Sequence, residues 1–253
     1  MVVEVSRDGT PGPARPVSGA SEMIEVACPT AATCLATGAL HTFPPDSAHG
    51  VTAWVYTVIT NGQPQPARRF PRGTYSTFGI DCPTTTRCLV LAREAVVVLD
   101  DVGGTWLATP RRISPDSGAG YPTNDISCAS STTCYATASG AVQTAEGYYG
   151  TPAMVAVSAD GVPGPVRVLS NQRGISNAIS CVSGRNCTVV GQEHTTGRGL
   201  SIDVFRGSPG APVIWENVNL FTSVSCIAPG TCGMVGRMAP NDAVFAWHGP
   251  VPA

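Results

Sequence analysis

The sequence predicts an all-β fold built from repeats, and three observations carry that expectation. Ten cysteines fall in five pairs, the second member six positions after the first: Cys28 and Cys34, Cys82 and Cys88, Cys128 and Cys134, Cys181 and Cys187, Cys226 and Cys232. First members recur 54, 46, 53 and 45 residues apart, the length of one supersecondary unit in a solenoid, propeller or array. Glycine (28) and proline (22) together supply about a fifth of the chain, so turns should be frequent and helices few.

Each element follows from local pattern. The chain opens on a hairpin, Val2 to Arg15, turning at Asp8-Gly9. Each clipped hairpin then begins with a β-branched residue two positions before its first cysteine: Val26, Ile80, Ile126, Ile179 and Val224. That alternation marks a strand. Small polar residues such as Pro29-Thr30-Ala31-Ala32-Thr33 make the turn. Small and apolar residues follow the second cysteine, as in Leu35-Ala36-Thr37-Gly38, Thr188-Val189-Val190-Gly191 and Gly233-Met234-Val235-Gly236, and read as a buried strand ending at glycine. A second hairpin alternates with the first. It runs from Val55 to Arg69 with Asn61-Gly62 at its turn, from Val96 to Arg111 with Gly103-Gly104, from Ala153 to Val168 with Asp160-Gly161, and from Ile202 to Trp215 with Gly207 and Gly210. Asn-Gly and Asp-Gly are strong hairpin signals. The last strand is Ala243 to Trp247.

Four strands per repeat at this period are what a β-propeller blade requires, because a lone blade cannot cover both of its faces. The economical reading is one propeller domain over residues 1–253, with five four-stranded blades and six as the alternative. Its blades fall near 24–77, 78–124, 125–177 and 178–222, with 223–253 closed into a ring by the strands of 1–23. The strand around Trp247 is then surplus, placed at a blade edge, in competition with the N-terminal hairpin, or against a partner.

Composition narrows the compartment and the partners. Five evenly spaced cysteine pairs suit disulfides formed outside the cytoplasm; the five-residue interval matches neither zinc ribbons nor redox motifs. Closing each seven-residue loop should add about 2 kcal/mol. Charged residues are 13% of the chain and the net charge is -2, which gives a phosphate backbone nothing to follow. No apolar run is long enough for a membrane helix. Met1 to Val5 lacks the basic and apolar regions of a signal peptide, so an exported chain beginning here is expected to have been trimmed. All fifteen basic residues are arginine, which excludes lysine Schiff-base chemistry and a P-loop lysine.

The turns at Ser6-Arg7-Asp8-Gly9 and Ser158-Ala159-Asp160-Gly161, with Gly103-Gly104-Thr105-Trp106, resemble degenerate Asp-box hairpins of sialidase-like and photosystem-assembly-factor-like propellers. The clipped hairpins are similar to repeats of secreted actinobacterial propellers. This resemblance implies fold and says little of activity, since Asp boxes serve enzymes and binders alike. It makes Asp8 and Asp160 turn-formers, and it puts the clips and Asp turns on one rim of the propeller.

The other rim would carry the longer loops: Gly38 to Thr52, Phe70 to Thr77, Ile113 to Asn124, Gly140 to Pro152, Ser170 to Asn177 and Gly191 to Gly199. Loops on a rigid scaffold concentrate binding residues. Candidate ligand-binding residues are Tyr75, Tyr121, Tyr148 and Tyr149 with Arg72, Asn124, Glu146, Arg173 and His194, beside Glu193; aromatic faces next to polar donors suit sugar rings. Trp54, Trp106, Trp215 and Trp247 are expected in the core. The chain lacks G-x-S-x-G, H-E-x-x-H and P-loop motifs, and the sialidase Phe-Arg-Ile-Pro stretch is replaced by Arg112-Ile113-Ser114-Pro115. The expectation is therefore an exported, lectin-like protein without cofactor or metal that binds carbohydrate or another cell-surface ligand. An adaptor subunit of a secreted assembly is the second reading, and a glycosidase with two carboxylates on one rim the third.

Overall fold

A computed structural model of the chain describes residues 1–3, 5, 10–42, 51–93, 95–112, 122–144, 147–238 and 242–249, with the backbone alone at 75, 122–123, 139, 141–144 and 147–149. Among the described residues every regular element is a strand, and no helix is long and apolar enough to cross a membrane. The chain forms two compact units, Met1–Arg112 and Ile113–Ala253.

The first unit holds two sheets. One runs β1 (Glu22–Thr30), β2 (Thr33–Thr42), β3 (Val51–Thr60) and β4 (Gln63–Pro64), with β5 (Arg68–Arg69) also on β3; the other runs β6 (Tyr75–Thr84), β7 (Arg87–Arg93), β8 (Ala95–Val102) and β9 (Thr105–Arg112). Leu35, Tyr56, Val58 and Phe70 of the first sheet's segment pack with Val90, Val97, Leu99 and Trp106 of the second. The Tyr56 hydroxyl donates to Trp106 O at 3.0 Å, so the buried phenol is satisfied.

The second unit holds three sheets. They are β10 (Pro122–Cys128) to β13 (Pro163–Val168) through β11 (Thr133–Thr144) and β12 (Gly147–Ser158); β14 (Gly174–Ser183), β15 (Asn186–Glu193), β16 (Arg198–Phe205) and β17 (Ser208–Pro209), with β18 (Val213–Trp215) also on β16; and β19 (Leu220–Ala228), β20 (Thr231–Arg237) and β21 (Ala243–His248). All pairings are antiparallel and sequential, as short hairpin connections require.

All five expected disulfides form, with Cα–Cα separations of 3.8 to 4.0 Å. A hydroxyl two residues after the first cysteine shapes several of these turns: Thr30 Oγ1 accepts from Ala32 and Thr33 N–H, and Ser130 Oγ from Thr132 and Thr133 N–H. That is the local competition by which Ser and Thr favour turns. The second hairpins turn as the sequence indicates. Asn61 and Gly62 have φ of 50° and 72°, Gly103 and Gly104 of 62° and 84°, the paired positive values of a type I′ turn. Ser158 Oγ accepts from Val162 N–H and Ser158 O from Gly161 N–H.

The glycines that end the second strands have a reason that alternation alone does not reveal. Gly38, Gly191 and Gly236 stand four residues after a second cysteine, opposite a break in the register of the first strand: Met23/Glu25, Ser176/Ala178 and Phe221/Ser223. An added Cβ would come within 2.0, 1.9 and 2.1 Å of the carbonyl oxygens of Glu22, Ile175 and Leu220. Each bulge thus needs a missing side chain across from it.

Prolines explain the broken fourth strands. Pro64 and Pro66 separate β4 from β5, and Pro209 and Pro212 separate β17 from β18; without an N–H, proline cannot continue a ladder. Pro110 lies on β9, and Pro163 and Pro165 on β13.

In the second unit a seam of side chains stitches consecutive first strands together. Asn124 Nδ2 donates to Ser176 O at 2.9 Å, and Asn177 Nδ2 to Phe221 O at 3.0 Å. Ser127 Oγ accepts from Cys181 N–H and Ser180 Oγ from Cys226 N–H, both at 3.0 Å, while Asp125 Oδ2 accepts from Ile179 N–H at 2.9 Å. The written form of this seam is Asn-x-Ile-Ser-Cys, at 124–128 and again at 177–181. Asn177→Ala is expected to destabilise the protein by about 1–2 kcal/mol, because it leaves a partly buried carbonyl without its donor; urea unfolding measures it.

Two expectations change. The Gly140 to Pro152 segment is no loop: β11 and β12 stay paired out to Thr144 and Gly147, in keeping with the β-favouring Val142, Thr144, Tyr148, Tyr149 and Thr151. The strand around Trp247 is not surplus either. It is β21, edge strand and third member of the last sheet, paired with β20 from Cys232–His248 to Arg237–Ala243. The N-terminal hairpin pairs with itself through the bridges Val2–Arg15 and Val5–Pro11.

Candidate functional site

Two of the loop residues singled out by sequence come together in the second unit. Arg173 ends the connection between β13 and β14, and His194 opens the turn between β15 and β16. Both side chains are exposed, and the His194 N–H donates to Arg173 O at 2.9 Å. Two separate connections are thereby held edge to edge.

Glu193 builds this platform from beneath. It is 5% exposed, and its carboxylate accepts from Thr195 N–H (2.6 Å), Thr196 N–H (2.7 Å) and Thr196 Oγ1 (2.6 Å), folding the 193–198 turn around a charge. Burial pushes the carboxyl up, but donation from Thr196 and Thr195 outweighs it and holds the pKa low, at about 2. Around the same turn, Gln192 Nε2 donates to Gly197 O and to Asn219 O, and Arg198 pairs with Glu216. The glutamate is thus an anchor rather than a free acid.

A folded pKa below the ordinary 4.5 gives a definite sign. The contribution of Glu193 to stability is complete above the unfolded value and is lost as pH falls from about 4.5 through about 2. Glu193→Gln is expected to cost about 1–3 kcal/mol at pH 7 and to flatten the acid limb of stability. Thermal midpoints of both proteins between pH 2 and pH 7, values that bracket the titration, check this.

The remaining candidates scatter. Asn124 lies in the seam, its amide spent on Ser176 O. Arg72 is exposed on the turn before β6, at the end of the first unit where a Cβ at Gly73 would lie 3.2 Å from Arg112 Nη2. Tyr75 is the first residue of β6, and Tyr148 and Tyr149 lie on β12; the side chains of all three lie outside the described set, as do Tyr121, Glu146 and Asp8 entirely. Trp106 is buried, and Trp54 and Trp215 pack against apolar clusters, with Trp215 Nε1 donating to Ser201 Oγ at 2.9 Å. Trp247 departs from the core expectation. It is half-buried and sits with Phe245 over Gly233, on the face of the last sheet opposite Met234, Val244 and Ala246, which pack in the core. On that open face Phe245 is 68% and Val235 45% exposed, and the two are cross-strand partners.

No protein-family model matches the chain, and no curated protein matches it.

Proposed function

We propose that this chain is an exported, non-catalytic binding protein that takes carbohydrate or another cell-surface ligand on its loop-bearing end. In this reading the five sheets are the blades of one propeller, closed by the N-terminal strands. The observation that carries it is the Arg173–His194 platform, where exposed hydrogen-bonding side chains from two connections are fixed by a backbone bond and by the buried Glu193. Preorganised polar groups lose little entropy on binding a hydroxylated surface. Five disulfides suit an oxidising compartment, which supports export.

A glycan array probed with the oxidised protein tests this. Binding to a defined glycan is expected, weakened about tenfold by Arg173→Ala through loss of a charge-assisted hydrogen bond. Silence across the array, with a protein co-purifying from culture supernatant, would instead establish the adaptor reading. One observation favours that second reading: the open Phe245 and Val235 face, since contiguous exposed apolar surface marks association sites.

A further inference from the structure

The second unit carries a groove of about 460 Å³ between the β10–β13 sheet and the β14–β18 sheet. Its apolar part is formed by Tyr135, Met154 and Val166, and its polar part by Arg167, Arg185 and Arg206. None of its lining residues is acidic. Among the described residues none of the three arginines forms an ion pair. Three like charges around one concavity repel one another and focus a positive potential, in a chain whose net charge is -2.

The cations are also held in place. Arg206 (φ 51°) and Gly207 (φ 80°) form the tight turn from β16 to β17. The Arg206 N–H donates to Asn186 Oδ1 and the Gly207 N–H to Arg185 O, both at 2.9 Å, which locks this turn to the clip that carries Arg185. The Arg206 guanidinium lies 5.3 Å from the centre of the Phe205 ring. A Cβ at Gly207 would stand 3.4 Å from Arg167 Nη1 and 3.6 Å from Arg185 Cδ, so arginines from both sheets converge on one glycine. The Tyr135 hydroxyl donates to Gly184 O at 3.3 Å and ties the sheets across the groove.

We propose that this groove binds the oxyanion groups of an acidic polysaccharide, sulfate esters or carboxylates. The guanidinium fork matches both in geometry. The volume is that of a small-ligand site, with apolar lining for a sugar ring beside the arginines. A duplex would need an extended basic surface, which a concavity in an acidic chain does not offer. The site uses none of the residues of the Arg173–His194 platform and lies with the clips and second-hairpin turns.

The test uses the whole oxidised chain. Retention on immobilised heparin reports sulfate esters, and titration with polygalacturonate reports carboxylates. Binding to either, falling with salt, is expected; which of the two binds identifies the anion. Arg167→Gln and Arg185→Gln should each weaken it about tenfold, one charge-assisted partner lost, whereas Arg69→Gln on the first unit should not. Without any substitution, heparin should slow phenylglyoxal modification of Arg167, Arg185 and Arg206 as mapped by mass spectrometry. The proposal is overturned by binding to neither polymer, by full retention in the triple Arg→Gln variant, by unprotected arginines, or by an oligonucleotide competing as well as heparin. Arg173→Ala should leave heparin retention intact, so this site and the loop-end platform fail separately.

Discussion

Reduction of the five disulfides is expected to unfold the protein at room temperature. Each closes a loop with a sequence separation of six, and constraining such a loop in the unfolded chain contributes about 2 kcal/mol. The loops do not overlap and each lies in its own sheet, so their contributions should be close to additive. Five together amount to about 10 kcal/mol, comparable with the roughly 5–15 kcal/mol of net stability that a folded protein has. A single clip removed by Cys181→Ser/Cys187→Ser should lower the stability by about 2 kcal/mol and leave a cooperative transition. Circular dichroism melts with and without reductant decide the matter. A reduced protein melting within a few degrees of the oxidised one would mean that packing alone holds the sheets.

Gly191→Ala is the single substitution expected to cost most, about 3 kcal/mol or more. The new methyl group would stand 1.9 Å from Ile175 O and 3.2 Å from Ser176 Cα. Both are backbone atoms, so no rotamer change relieves the overlap; the bulge at Ser176/Ala178 must be undone. Undoing it would shift Asn177, and with it the bond to Phe221 O that stitches the next sheet. The second and third sheets supply an internal comparison, since alanines (Ala92 and Ala138) occupy the matching place. There the unpaired stretch is wider, from Thr77 to Ile80 and from Pro122 to Ile126. Gly184→Ala is the control, because nothing lies within 4 Å of a Cβ at that turn, and it should change stability by less than about 0.5 kcal/mol. Equal urea midpoints for the two variants would show that the bulge adapts freely.

What could be read in advance was what local chemistry dictates. The clips, the strands flanking them and the positive-φ turns at Asn61-Gly62 and Gly103-Gly104 each depend on a few consecutive residues, and all stand where the text puts them. The loop at 140–152 was misread because Gly140 and Pro152 suggest a break, whereas the paired Tyr and Thr between them extend a ladder. The seam was written twice as Asn-x-Ile-Ser-Cys, yet its meaning depends on residues some 50 positions apart lying side by side. Asn124 therefore looked like a donor offered to a ligand when it serves the neighbouring sheet. Arg173 and His194 meet, which their separation in sequence did not reveal. The arginine groove was invisible for the same reason: Arg167, Arg185 and Arg206 belong to a fourth strand, a clip and a hairpin turn, and only sheet stacking gathers them.

The prolines of the fourth strands have a consequence at the scale of many molecules. A sheet grows by adding strands at its rim, and an exported protein meets other copies of itself without chaperones at hand. Pro64, Pro110, Pro163 and Pro209 each remove a donor from the side where a fifth strand would attach. Recruitment of a foreign strand is thereby arrested at the last native one. The chain can accumulate in a crowded exterior by repeating short, blunt sheets, and a lost proline on such a rim would be felt first as association and only later as lost stability.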